Sequence, residues 1–368
     1  MSHMTYLEAS VVGLIQGVTE LFPVSSLGHN VLIPALVGGS WSADLNVASP
    51  ESPYLAFIVG LHVATAIGMM IYFWRDWLRI IGGFFSSIRH GQVETADQKL
   101  AWMIIAATIP VGIVGLVFEH AFRVLFAQPI RAAIFLLVNG LVLFAGERFR
   151  TSKSKAADAA IAAGTHPANV APAVDDAIPA TPAAAAAASA APASGGAVSA
   201  GDPGPPGAAR AGGGAGPSSH ASGHRAVRKQ EMATAIESDQ RVSALGLVKA
   251  IIIGSAQIFA LLAGISRDGV VMVTGMFSGL SREDAARFSF LLSTPVIFAA
   301  GALKAGDLLG PLGDGIRGQV LVGSILSGIG AYVAVRFLMR YFQTRTLTPF
   351  AIYCIVFGLG SIIYLKVK

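Results

Sequence analysis

Apolar residues in this chain fall into long runs almost free of charge, near 55–73, 101–118, 131–147, 288–304, 318–335 and 347–364. A helix needs roughly 17–25 such residues to cross a bilayer, so each run predicts one span. Two further apolar stretches are interrupted. The first runs over 8–22, breaks at Pro23, and resumes over 25–37. Proline lacks the N–H that a helix interior needs and clashes with the preceding turn, so the helix stops there. Ser25 and Ser26 then read as the N-cap of a second short helix. The second stretch runs over 247–263 and 266–280, with Ser266 in the N-cap position. Broken helices at membrane depth persist only where they are buried in protein or line a wet cavity.

Each half therefore holds one broken pair followed by three spans. Aligned on their breaks, the halves match Gln16 with Gln257, Ser25 with Ser266 and Gly28 with Gly269. Three spans are an odd number, so the second half enters from the opposite side. The expectation is an all-α polytopic membrane protein with an inverted-topology repeat, its two re-entrant breaks meeting near the midplane. The N-terminal repeat covers 5–148 and the C-terminal repeat 243–368. Residues 149–242 between them are Ala, Pro, Gly and Ser with few large apolar side chains. Such a segment buries too little surface to offset its ordering entropy and is expected to be a disordered linker. Pro182 and Pro192 leave room only for a short helix around Ala183–Ala188.

Composition sharpens this picture. The chain is 54% hydrophobic and 13% charged, with a mean hydropathy of +0.64, which excludes an ordinary soluble domain. Its net charge of +5 comes from short clusters: Arg75, Arg79, Arg89 and Lys99; Arg148 to Lys155 with Arg225 to Arg241; and Arg336, Arg340 and Arg345. The positive-inside rule makes these cytoplasmic. Both termini and the 119–130 and 305–317 loops then lie outside. No basic patch interleaves with aromatics, so nucleic acid is not an expected partner. The single Cys354 excludes a disulfide and a cysteine metal site.

The polar residues at the breaks are the candidate chemistry. Gln16 and Glu20 are four apart and share a helix face. Ser25, Ser26 and His29 open the next helix. Intramembrane carboxylates are costly and mark function. At the second break, Ala263-Gly264-Ile265-Ser266-Arg267-Asp268-Gly269 places Arg267 at a helix N-terminus. There the helix dipole and a planar guanidinium both favour an anion such as phosphate. Gly264 and Gly269 allow close approach to the backbone.

These motifs together resemble the undecaprenyl-diphosphate phosphatase, or bacitracin-resistance, family. That family carries (Glu/Gln)-x-x-x-Glu followed by Phe-Leu-Pro-(Val/Ile)-Ser-Ser-x-Gly-His, which here stands as Gln16 to His29. Its second motif, Pro-Gly-x-Ser-Arg-Ser-x-x-Thr, corresponds to Ala263 onward, followed by the run Ala285 to Leu292 and Pro295. Ala263 replaces the motif proline, Asp268 the second serine, and Val271 the threonine. Asp268 would temper the phosphate clamp or hold a metal ion.

The resemblance implies hydrolysis of an isoprenoid lipid diphosphate in a bacterial plasma membrane, with the site opening to the extracytoplasmic side. It implies Glu20, Ser26, His29 and Arg267 as catalytic residues, with Gln16, Ser25, Gly264, Ser266 and Gly269 binding substrate. Glu20 would be a base or, with Gln16, a ligand of Mg²⁺ or Ca²⁺. The nucleophile would be Ser26, His29 or a water. Partners are the lipid substrate and the bilayer, with a second copy of the chain as a further candidate. The rival reading is a transporter or flippase for the lipid carrier or a small anion, since broken-helix inverted repeats are common among transporters.

Several polar residues are expected to be structural. His62 in the 55–73 run reads as a packed histidine. Trp74, Arg75, Asp76 and Trp77 read as an interfacial anchor, and Glu119, His120 and Glu147 as interfacial span ends. Ser281 reads as a helix cap with Glu283 and Arg287 as an i,i+4 pair. Gly13, Gly112, Gly115, Gly323 and Gly328 read as helix-packing contacts.

Overall fold

The structure is a computed structural model that describes residues 4–46, 53–126, 128–162, 218–310 and 315–367. Among these, every regular element is helical. In order they are α1 (Tyr6–Thr19), α2 (Ser26–Val37), α3 (Gly39–Asp44), α4 (Pro53–Tyr72), α5 (Trp74–His90), α6 (Ala96–Phe126), α7 (Pro129–Ala162), α8 (Ser218–Ser243), α9 (Leu247–Ser255), a 3₁₀ turn (Ala256–Leu261), α10 (Arg267–Phe277), α11 (Arg282–Leu309), α12 (Arg317–Thr344) and α13 (Thr348–Val367). Six are long and apolar enough to cross a membrane: α4, α6, α7, α11, α12 and α13. They coincide with the six uninterrupted runs, so the chain is a multi-pass membrane protein.

Both breaks form where expected. α1 opens on a capping box, in which the Thr5 side chain accepts from the Glu8 amide and Glu8 from the Thr5 amide. It ends at Thr19, just before Pro23. α2 begins at Ser26, with the Ser25 hydroxyl accepting the Gly28 amide at 3.2 Å. α10 begins at Arg267, with the Ser266 hydroxyl accepting the Gly269 amide at 3.1 Å. Ser25 is the one non-glycine residue with positive φ among the described residues (67°). Such strain survives where surrounding contacts over-determine it, typically at functional sites.

Both halves fold into one compact unit, which also takes in residues from Glu237 onward. Within it α7 packs on α13, α1 on α12, α4 on α12 and α11, α9 on α6, and α10 on α7 and α11. Small residues permit the closest crossings. A Cβ on Gly13 would stand 2.8 Å from Gly323 Cα, and one on Gly328 3.1 Å from the Ala64 carbonyl oxygen. Gly112 differs from expectation: nothing lies within 4 Å of its would-be Cβ, so it makes no such contact.

The segment expected to be linker is helical at both described ends, α7 continuing to Ala162 and α8 starting at Ser218. Residues 163–217, with the alanine stretch, lie outside the described residues. The C-terminal boundary moves back from 243, because Ser238, Asp239 and Val242 are buried in the compact unit. Asp239 accepts from Arg287 Nε at 2.9 Å and from Arg79 Nη2 at 2.7 Å, while Arg241 pairs with Asp284 at 2.8 Å. Val174–Ile236 forms a second unit, whose described part is the helical stretch from Ser218.

The charged loop after α4 holds an unexpected helix, α5, with Trp74, Leu78, Ile81, Phe85 and Ile88 exposed along one stripe. That spacing marks a helix lying in the membrane interface. Asp76 is more than an anchor: it bridges Arg79 at 2.6 Å and Arg287 at 3.0 Å. Arg287 therefore pairs with Asp239 and Asp76, while Glu283 meets Gln343. Ser281 caps α11 as expected. Glu147 is buried rather than interfacial, held by Arg282 and by the Leu347 amide. The side chains of Glu119 and His120 lie outside the described residues.

Candidate active site

Glu20 sits at the C-cap of α1, 8% exposed, and gathers side chains from four helices. Its Oε2 accepts Gln16 Nε2 at 2.8 Å from within α1 and the Ser26 hydroxyl from α2. Oε1 accepts Arg267 Nη2 at 2.8 Å from α10. His62 Nε2 on α4 lies 3.3 Å from Oε2. Gln16 is held in turn by Asn30, whose Nδ2 donates to Gln16 Oε1 at 2.7 Å. Gln16, Glu20, Ser26 and Arg267, predicted from two motifs 247 residues apart, thus form one cluster.

The breaks meet through their turns. The Ser25 hydroxyl also accepts the Gly264 amide at 3.1 Å. Gly264 has φ +110°, and a Cβ there would come within 2.7 Å of the Leu136 amide, so only glycine fits. Asn139 on α7 ties the breaks together. Its Nδ2 donates to the Pro23 carbonyl at 3.0 Å, and its Oδ1 accepts the Ser266 amide at 3.0 Å. Ser25 and Ser266 thus spend their hydroxyls on backbone amides. Gly269 packs against Leu143, 3.1 Å from its would-be Cβ.

His29 is not among the side chains that contact Glu20. Its Nδ1 lies 2.7 Å from the Ser25 carbonyl, which can only accept, so Nδ1 carries a proton. Its Nε2 meets the Tyr353 hydroxyl at 2.7 Å, and its ring stacks on Tyr353 and Phe357 of α13. His29 is therefore the link from α2 to α13. Asp268 is fully buried and turned to α11, where Ser289 and Ser293 both donate to its Oδ1 at 2.7 Å. Its approach to Arg267 Nε is 4.0 Å, too long for a hydrogen bond.

His62 and Asn139 were missed as site residues. His62 Nδ1 lies 2.8 Å from the Ile58 carbonyl and so carries a proton, which leaves Nε2 to face the carboxylate. The signal was present in both cases: a lone polar side chain midway along an apolar span.

In this arrangement Glu20 presents no free oxygen to a divalent cation. Ca²⁺ takes six to eight oxygen ligands, and Mg²⁺ one or two carboxylates beside waters and substrate phosphates. Glu20 is the one carboxylate in the cluster, and both its oxygens already meet Arg267, Gln16, Ser26 and His62. Gln16 Oε1 is held by Asn30. Among the described residues no three His, Cys, Asp or Glu side chains come together as ligands.

The arrangement pairs a hydroxyl with a carboxylate beside a guanidinium at a helix N-terminus, which suits attack on a bound phosphate. Comparison with known proteins bears on which phosphate. A family model described as Bacitracin resistance protein BacA matches residues 9–166 and 223–360. The Undecaprenyl-diphosphatase of Mycolicibacterium paratuberculosis is 49% identical over 367 residues, covering 100% of this chain and 99% of that protein. Undecaprenyl-diphosphatase 2 of Frankia alni is 49% identical over 362 residues, 97% of each. Undecaprenyl-diphosphatase 2 of Burkholderia orbicola is 33% identical over 348 residues, 94% of this chain and 92% of that one.

Proposed function

The chain belongs to the bacitracin resistance protein BacA family, and on that premise we propose that the Glu20 cluster is its catalytic centre. The reaction is hydrolysis of undecaprenyl diphosphate to undecaprenyl phosphate and inorganic phosphate. The observation that carries the assignment is the Ser26 hydroxyl donating to a carboxylate whose other oxygen holds Arg267.

The geometry supports the following sequence. The terminal phosphate takes Arg267 away from Glu20, at the positive end of α10. Ser26 Oγ attacks the terminal phosphorus as Glu20 accepts its proton; undecaprenyl phosphate departs as its bond to that phosphorus breaks and takes the proton from Glu20, which is ionised again. Water, deprotonated by the same carboxylate, then attacks the phosphoserine, and Ser26 Oγ leaves with the proton Glu20 returns to it as inorganic phosphate is released. Gln16 fixes one Glu20 oxygen, and His62 Nε2 faces the same oxygen. None of these steps is routed through a metal ion.

The inverted repeat is part of this reading. α1 packs on α12, the second span of the C-terminal half, as α9 packs on α6, the second span of the N-terminal half. α7 with α13, and α4 with α11, pair corresponding spans. The arginine clusters support a bacterial plasma-membrane protein whose site opens to the extracytoplasmic side. Its product there would be the monophosphate carrier for peptidoglycan synthesis. The test is phosphate release from undecaprenyl diphosphate by purified protein in detergent, where no sidedness exists. Stoichiometric release supports a hydrolase, and binding without release would restore the transporter reading.

A further inference from the structure

The reaction leaves a very long hydrocarbon chain to be housed. An apolar groove of about 740 Å³ lies along α13 where α2 meets it, lined by Leu36, Ile352, Tyr353, Val356, Phe357 and Gly360 among others. Its volume is in the range of roughly 300–1,000 Å³ typical of ligand sites. Two of its wall residues, Tyr353 and Phe357, are the rings stacked on His29, and Tyr353 also hydrogen-bonds His29 Nε2. His29 lies one turn beyond Ser26 on α2, so groove and cluster share a wall. The groove is also open to lipid. α13 is the least buried of the six spans, and Ile352 and Val356 are exposed.

We propose that this groove holds the first isoprene units of the substrate, with His29 and Tyr353 marking the junction between phosphate and chain. The inference rests on the phosphatase reading above. It explains why His29 bonds to α13 rather than to Glu20. The histidine orients the lipid at the mouth of the groove, and the chain leaves sideways into the bilayer instead of threading the protein. The remaining units lie in the membrane.

Gly360 permits a clean test. Gly360 lines the groove and a Cβ there meets nothing within 4 Å, so a side chain can be built out from this wall without strain at its first atom. It lies seven residues, about 10 Å, along the helix from Tyr353. Dimethylallyl diphosphate, with a single five-carbon unit, is too short to run from the Tyr353 junction to that point. Gly360→Trp and the smaller Gly360→Leu are assayed in detergent against undecaprenyl diphosphate, with dimethylallyl diphosphate as a competing ligand. The expected result is a KM for the long substrate raised about tenfold in the tryptophan variant and less in the leucine variant. kcat and the dimethylallyl inhibition constant stay near wild type. An unchanged long-chain KM in both variants would mean that ordinary bilayer lipid fills the groove. Equal weakening of both ligands would point to damage at the phosphate site, and either result overturns the proposal. If wild-type protein released no phosphate, the phosphatase reading itself would have failed.

Discussion

His62 Nε2 stands 3.3 Å from Glu20 Oε2, although the two lie on separate helices and 42 positions apart. Glu20 thus meets a nitrogen cation or donor on each oxygen, Arg267 on one and His62 on the other. A packed histidine would be replaceable at little cost to catalysis. His62→Ala should instead lower kcat by about tenfold or more, below the 10²–10⁴ typical of a direct acid or base because it acts through Glu20. His62→Gln retains a donor and should recover part of the loss. Steady-state phosphate release reads both values, and an unaltered kcat in His62→Ala would return His62 to a packing role.

Asn139 is the clasp between the breaks. Alanine there leaves the Ser266 amide buried without its partner, at about 1–3 kcal/mol, and the Pro23 carbonyl with the weaker Cys354 thiol at 3.8 Å. Asn139→Ala should lower the thermal midpoint in detergent and reduce activity in the molecules that remain folded.

Much of this arrangement was legible in the sequence. The six spans follow from uninterrupted apolar runs, because length and the absence of charge suffice to mark a membrane helix. Pro23 and the serine caps located the breaks, which meet through the Ser25 hydroxyl and the Gly264 amide. The rest depended on tertiary partners. His62 stands out as a lone polar side chain in an apolar span, but its position does not say that its partner is Glu20. Asp239 lies in a segment whose composition reads as linker, and only its pairing with Arg287 and Arg79 shows that the membrane unit extends back to it. α5 was hidden because its charges dominate a stretch whose apolar residues follow helical spacing. His29 has a motif position that suggests chemistry, whereas its neighbours are the rings of a helix more than 300 residues away.

Arg267 should respond to shape as well as to charge. Arg267→Lys keeps the cation but loses the planar fork, and Arg267→Ala loses both. The alanine variant should fall by about a hundredfold or beyond, as when one preorganised donor is removed from an anion hole, with lysine intermediate. A loss confined to KM would show that Arg267 docks the substrate without stabilising the transition state.

Chelation tests the donor set directly. Glu20 offers no free oxygen to a cation in this arrangement, so purified protein treated with EDTA and assayed in metal-free detergent buffer should keep its turnover within a few-fold. Loss of activity restored by Mg²⁺ or Ca²⁺ would mean that the cation enters with the diphosphate and that Glu20 reorganises to meet it.

The central claim is that Glu20 takes the proton from the attacking group. Glu20→Gln keeps the size of the side chain and one acceptor oxygen while removing the base. Phosphate release from undecaprenyl diphosphate should fall by about 10²–10⁴ in this variant, in protein that elutes as wild type on gel filtration and still binds the substrate. A folded Glu20→Gln protein with turnover near wild type would contradict the account, because among the described residues no other carboxylate contacts Ser26.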